Sequence, residues 1–264
     1  MPSRLTRISA CTVALAAAGS ALYGIGAASA TADNSVPRTD RDIPNVTKVE
    51  DSINAYYGGT ADASGVYQAS PESNYAKQVR GIEARAKRQI ADAVHRTGHG
   101  RKPAIVLDVD DTTLLTYDWE KKYGFAYNAT AFNDYVQSAR SIAVFGMPDV
   151  VNYAAKKGVT VFFLTGRDES QRAASAVNLT KTGYEVPVDR PHFYLKDQTA
   201  VPSYLSCGKP KWTCTTVQFK SGTRKHIESL GYSIVANFGD QYSDLDGGYA
   251  DKTYKIPNPM YFLP

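Results

Sequence analysis

Four acidic residues stand where short apolar runs end, and one lysine stands at the start of a helical pattern. Ala104-Ile105-Val106-Leu107 is followed by Asp108-Val109-Asp110-Asp111-Thr112, and the run GVTVFFL leads into Thr165-Gly166-Arg167. YSIVANF leads into Gly239-Asp240-Gln241-Tyr242-Ser243-Asp244, and Lys220 stands at the start of the helical pattern before that run. Gathered in one place, Asp108, Asp110, Asp240 and Asp244 repel one another unless a cation is bound. Hard oxygen ligands in this number imply Mg²⁺ in preference to Zn²⁺. The chemistry open to such a set is phosphoryl transfer. A metal neutralises the phosphate, one carboxylate attacks phosphorus and a second carboxylic acid protonates the leaving oxygen, while a lysine and a hydroxyl hold the remaining oxygens.

An α/β fold can position these residues. The β-rich runs PAIVLDVD, GVTVFFLT, HFYLK, YSIVANFG and KTYKIP alternate with helical patterns over 148–157, 168–182 and 221–230, the signature of a parallel sheet with right-handed crossovers. Gly183 and Gly231 stop the second and third helices. Ligands of such sheets bind outside the carboxyl ends of the strands, where the acids stand. Upstream, two helical patterns between Val46 and Val94 are split by the turn-rich GGTADASGVYQASPESN. In the second, Tyr75, Val79, Ile82, Ala86 and Ala93 mark an apolar face, and Lys77, Arg80, Glu83, Lys87 and Arg88 read as solvated. Between the first two acidic motifs lies an aromatic insertion carrying Tyr117, Trp119, Tyr123, Phe125, Tyr127, Phe132 and Tyr135. Any one of these rings is more ordinarily a member of a cap core. Tyr117, Trp119 or Phe125 is nevertheless expected to wall a pocket for an aromatic leaving group.

The first thirty residues stand apart. Arg4 and Arg7 precede a small-apolar run closing on Ala28-Ser29-Ala30, which reads as a secretory signal, with a flexible leader at 31–44. Removing 1–30 takes two arginines and no acid, so the formal charge of +4 falls to +2. Near neutrality, nothing argues for nucleic-acid or anionic-membrane partners. With 264 residues, 43% of them hydrophobic, the chain can build a real core, which excludes a disordered or disulfide-stapled mini-protein. Cys207 and Cys214 read as a local disulfide of an exported protein.

Rival chemistries fail on spacing. An EF-hand loop starting at Asp108 needs Gly and Glu where Thr113 and Trp119 stand. A Cys-x5-Arg loop meets Thr213 and Lys220 where Arg is required, and HGRKP has Gly98 where a histidine phosphatase needs Arg. His95, His99, His192 and His226 are too scattered for a metal site.

The motifs DVDDT, FLTGR, FKSGTRKHIE and GYSIVANFGDQYSDL, with the closing YKIPNPMYF, resemble those of the haloacid dehalogenase (HAD) superfamily, subfamily IIIB acid phosphatases, which include plant acid phosphatases and vegetative storage proteins. The resemblance runs from about 45 to 264. It implies a three-layer α/β Rossmannoid core with a parallel sheet, N-terminal helices over about 45–98 and a small helical, aromatic cap inserted over about 113–146. It also implies a secreted or periplasmic Mg²⁺-dependent enzyme acting on small phosphomonoesters, aromatic ones and nucleotides among the candidates. Asp108 then matches the nucleophile and Asp110 the general acid and base. Thr165 matches the phosphate-binding hydroxyl and Lys220 the steadying cation. Gly166 and Arg167 stand beside Thr165 as expected substrate contacts, with the alternative that Arg167 or Arg224 pairs with a neighbouring carboxylate. The metal falls to Asp108, the Asp110 backbone carbonyl and Asp240, with Asp244 as the outer-sphere ligand. An acid at Asp110 separates a phosphatase from a dehalogenase, since a halide leaves without a proton. Two alternatives stay open: transfer of the phosphoryl group to an alcohol, and a storage or binding protein without catalysis. Asn45, Asn128 and Asn178 head Asn-x-Thr sequons.

Overall fold

The computed structural model describes residues 45–96 and 100–264, with Thr39 and Ile43 before them. The expected signal, the rest of the leader, Gly98 and His99 lie outside the described residues.

Helices α1 (Val46–Tyr57) and α2 (Asn74–Arg96) flank a small hairpin of β1 (Thr60–Ala61) and β2 (Tyr67–Gln68). After β3 (Lys102–Leu107) comes the insertion, made of β4 (Leu114–Leu115), α3 (Tyr117–Lys122), α4 (Ala129–Gln137) and β5 (Ile142–Ala143). Next in the chain are α5 (Met147–Lys156), β6 (Thr160–Asp168), a 3-10 turn at Glu169–Gln171 and α6 (Arg172–Lys181). The chain continues through β7 (Phe193–Lys196), α7 (Thr216–Ser229), β8 (Tyr232–Gly239), the single turn α8 (Tyr242–Leu245) and β9 (Thr253–Lys255). Among the described residues no helix is long and apolar enough to cross a membrane.

Five strands form the central sheet in the order β7-β6-β3-β8-β9, and every neighbouring pair is parallel. Side chains alternate across the sheet. Ile105 and Leu107 of β3 join Val161, Phe163 and Val235 under α2 and α5. Ala104 and Val106 join Phe162, Leu164 and Ile234 against Phe219 and Ile227 of α7. Two apolar faces covered by helices make the three layers, and they explain why these strands read as continuous apolar runs.

Three details depart from the sequence reading. Helix α7 starts at Thr216, five residues before the expected 221. Thr215 accepts from the Gln218 backbone N–H and the Gln218 side chain accepts from Thr215 N–H, a reciprocal box that satisfies two orphan donors. The helix expected over 168–182 begins only at Arg172, because β6 runs on through Asp168 and a 3-10 turn intervenes. Glu83 is not solvated but buried. Its carboxylate lies against Gly146, the N-cap of α5, where φ is +75° and a Cβ would stand 2.1 Å from Glu83 Oε1. Only glycine fits both that backbone and that neighbour. The packing of α2 on α5 buries a wider stripe of α2 than periodicity marks.

Cys207 and Cys214 are joined, in a loop that leads into α7. Asn178 is buried and exchanges hydrogen bonds with the Ser141 backbone in both directions, so its sequon offers no accessible acceptor.

Candidate active site

Strand register brings the acids together. Leu107 at the end of β3 pairs with Phe163 of β6 and Phe238 of β8, so Asp108, Thr165 and Asp240 emerge along one sheet edge. Asp108, Asp240 and Asp244 are buried, and each offers an oxygen within 4.8 Å of the others. Lys220, in the second turn of α7, points up between them. Its ammonium donates to Asp108 Oδ1 and to the Leu164 carbonyl at 2.7 Å, and pairs with Asp244 Oδ1 at 3.0 Å.

Electrostatics show that one ammonium does not balance this cluster. Burial pushes the Asp108 carboxyl well above the usual carboxylate range; Lys220 opposes the shift, while Asp244 and Asp240 add to it. Burial, and then the charges of Asp244 and Asp111, push Asp240 up to about 8. Burial by itself would lower Lys220, but Asp108 and Asp244 hold it above its ordinary value. An all-carboxylate donor set with unmatched negative charge fits a hard divalent cation.

Asp110 stands at the rim, clasped by Arg167: Nε donates to Oδ2 at 3.0 Å and Nη2 to Oδ1 at 2.7 Å. Arg167 Nη1 donates to Ser175 Oγ at 2.8 Å. Arg167, expected among the substrate-binding residues, lines the cavity beside Gly166, with its guanidinium held by the neighbouring carboxylate of Asp110. Thr165 is buried, with Oγ1 accepting from Arg167 N–H at 3.1 Å. Arg224 ties down the carbonyls of Asp244, Asp246 and Gly248, which shapes the loop after β8. Asp111, absent from the expected site, has a left-handed φ of +53° and is buried. It accepts from Thr116 N–H at 2.9 Å, from Thr116 Oγ1 at 2.7 Å and from the Tyr261 hydroxyl at 2.8 Å. These bonds fix the turn that presents Asp110.

Above the acids opens a cavity of about 600 Å³. Its apolar wall is Phe125, Tyr127 and Phe132 from the insertion, faced by Tyr261 and Phe262. Tyr117 and Trp119 do not line it. Tyr117 stacks on Tyr57 of α1 and donates to Asn54 Oδ1 at 3.0 Å. Trp119 is 1% exposed and lies among Tyr123, Phe132 and Tyr135. Both rings are the core of the cap. A signal for the true wall was present in YNATAF. Asn128 caps α4 by accepting from Ala131 N–H at 2.9 Å, which sets Tyr127 and Phe132 at the positions whose side chains staple a helix start, their rings 5.8 Å apart. Glu120 also lines the cavity, 5% exposed, and no donor among the described residues reaches its carboxylate. Burial, with the charge of Asp110, pushes it up to about 7.

The family model for the HAD superfamily, subfamily IIIB (acid phosphatase), matches residues 59–264. Among curated proteins, the stem 28 kDa glycoprotein of Glycine max is 30% identical over 167 residues, 61% of each chain. Acid phosphatase 1 of Solanum lycopersicum is 30% identical over 162 residues, 60% of this chain and 58% of the relative. The chain thus spans less than two thirds of the length of these relatives. A class C acid phosphatase structure from Bacillus anthracis superposes with a TM-score of 0.57 at 21% identity, over 82% of this chain and 86% of that one, and supports the fold.

Proposed function

The chain belongs to the HAD superfamily, subfamily IIIB (acid phosphatase), and from that premise we infer that it is an exported, Mg²⁺-dependent phosphatase that hydrolyses small phosphomonoesters through a phosphoaspartate. The observation that carries the reading is the buried Asp108–Asp240–Asp244 cluster shared with Lys220 at the carboxyl edge of the sheet, with Asp110 beside it.

In this reading Asp108 Oδ attacks phosphorus, and the ester P–O bond breaks as the P–O bond to Asp108 forms. Asp110 gives its proton to the leaving alkoxide, then takes one from the water that releases phosphate. The clasp of Arg167 keeps Asp110 at the rim, where both partners of that proton transfer arrive. Lys220 holds Asp108 in place and offsets charge on the phosphoryl oxygens through it. Asp108, the Asp110 carbonyl and Asp240 would hold Mg²⁺, with Asp244 behind them; when bound, the ion supplies neutralisation of the phosphate. The facing rings suit a flat leaving group, and the unpartnered Glu120 suits one that carries a hydroxyl or amine donor. Export rests on the expected signal at 1–30 and the joined Cys207 and Cys214.

The test is hydrolysis of p-nitrophenyl phosphate across a pH range, with Mg²⁺ or EDTA, beside Asp108→Asn. Activity that needs metal and falls at least ~10³-fold in the variant is the expected result. An intact protein inactive under every condition would overturn the reading in favour of a storage or binding role.

A further inference from the structure

The closing segment Ile256–Leu263 touches both acidic loops. Ile256 N–H donates to the Gly239 carbonyl at 2.8 Å, directly before Asp240. Tyr261 donates to Asp111, and Leu263 N–H donates to Gln241 Oε1 at 3.0 Å. Between them Asn258 Nδ2 donates to Asp240 Oδ2 at 2.7 Å. Gln241 Nε2 donates to the same oxygen, also at 2.7 Å.

The orientation of the Asn258 amide is fixed from its other end. Its Oδ1 accepts from Met260 N–H at 2.8 Å, so the NH₂ must face Asp240. Pro257 and Pro259 on either side restrict the backbone that carries it. With two N–H donors on Oδ2, the Asp240 carboxylate cannot rotate without losing both. The other oxygen, Oδ1, carries only a 3.3 Å contact from Thr112 Oγ1. Donors behind a ligating carboxylate set its direction and its affinity for the ion.

We infer that Asn258 is a positioning residue that holds Asp240 in the orientation the cluster needs to bind a divalent cation. This rests on the reading of that cluster as a metal site. The closing segment is then part of the metal centre, although none of its side chains belongs to the acidic cluster.

Asn258→Ser separates this role from a structural one. A serine hydroxyl can still accept from Met260 N–H but is too short to reach Asp240. Titrating Mg²⁺ by calorimetry should give a dissociation constant raised about 10-fold or more, with the metal-free melting temperature close to that of the unmodified protein. A constant within twofold of the unmodified value overturns the inference, as does a loss that only tracks a lowered metal-free melting temperature. Should the variant not fold, the unmodified protein decides: the side-chain NH₂ resonances of Asn258 should shift as Mg²⁺ is added, and resonances that stay put overturn the proposal. Mg²⁺ binding without hydrolysis would sink the phosphatase reading and leave this one standing. Hydrolysis without any Mg²⁺ binding would do the reverse.

Discussion

The floor and the wall of the cavity obey different rules. The floor is made of residues just beyond the ends of the apolar runs of β3, β6 and β8, and the parallel register that aligns Leu107, Phe163 and Phe238 also aligns the polar residues after them. The wall is made of rings from the helical part of an insertion whose one ladder, β4 with β5, lies at its base. Which rings face the cavity therefore depends on how α3 settles against α1 and how α4 settles against α6 and the 3-10 turn. The floor is therefore rigid in chemistry and the wall free to vary, and substitutions in the two should fail in different ways. A floor change removes turnover. A wall change costs either stability or selectivity, according to which side of the wall the ring occupies.

Asp108→Asn is the floor extreme, with loss of turnover in a folded protein. The largest effect on the wall should come from Trp119→Ala. Its ring is enclosed by Tyr123, Phe132 and Tyr135, so truncation should cost about 3–5 kcal/mol of stability. Denaturant unfolding checks this, and a cost below ~1 kcal/mol would show that the cap does not depend on the ring. Tyr127→Ala should do the opposite. The ring is 73% exposed at the cavity mouth, so truncation gives up its staple contact with Phe132 and stability should fall by no more than about 1 kcal/mol. The ratio of kcat/KM for p-nitrophenyl phosphate over glycerol phosphate should fall several-fold, on the scale of about 1 kcal/mol for an aromatic contact. An unchanged ratio would remove Tyr127 from the leaving-group wall.

The floor was legible in the sequence because strand ends are local signals: an apolar run stops and a polar residue comes next. Asp108, Asp110, Thr165, Asp240 and Asp244 could be found that way, and Lys220 by its place before β8. What escaped was set by contacts between distant segments. Tyr117 stacks on Tyr57, sixty residues earlier, and the room for it comes from Gly59, where a Cβ would stand 1.8 Å from the Tyr117 hydroxyl oxygen. No periodicity in the insertion encodes that. Asn258 meets Asp240 only because β9 pairs with β8. The early start of α7 was legible, since Thr215 and Gln218 have the spacing of a capping box and Val217 and Phe219 are already apolar.

Glu83 sharpens the floor half of the comparison, because it is also a buried acid yet belongs to no cluster. Its Oε1 has no hydrogen-bond partner, and burial pushes it up to about 7, with Lys87 and Arg80 opposing and Asp149 adding. The folded chain therefore holds this proton more tightly than the unfolded one, whose glutamate titrates near the ordinary value of about 4.3. The resulting stability is fully present below that ordinary value and is lost as pH rises through about 7. In Glu83→Gln the group cannot ionise, while Asp111, Glu120 and Asp240 still titrate as before, so the difference between variant and unmodified protein isolates Glu83. The melting temperature of the metal-free variant, relative to the unmodified protein, should rise by a few degrees between about pH 4 and pH 8. A difference that does not change with pH would mean that Glu83 reaches a donor or solvent when ionised, and that burial next to Gly146 costs its charge nothing.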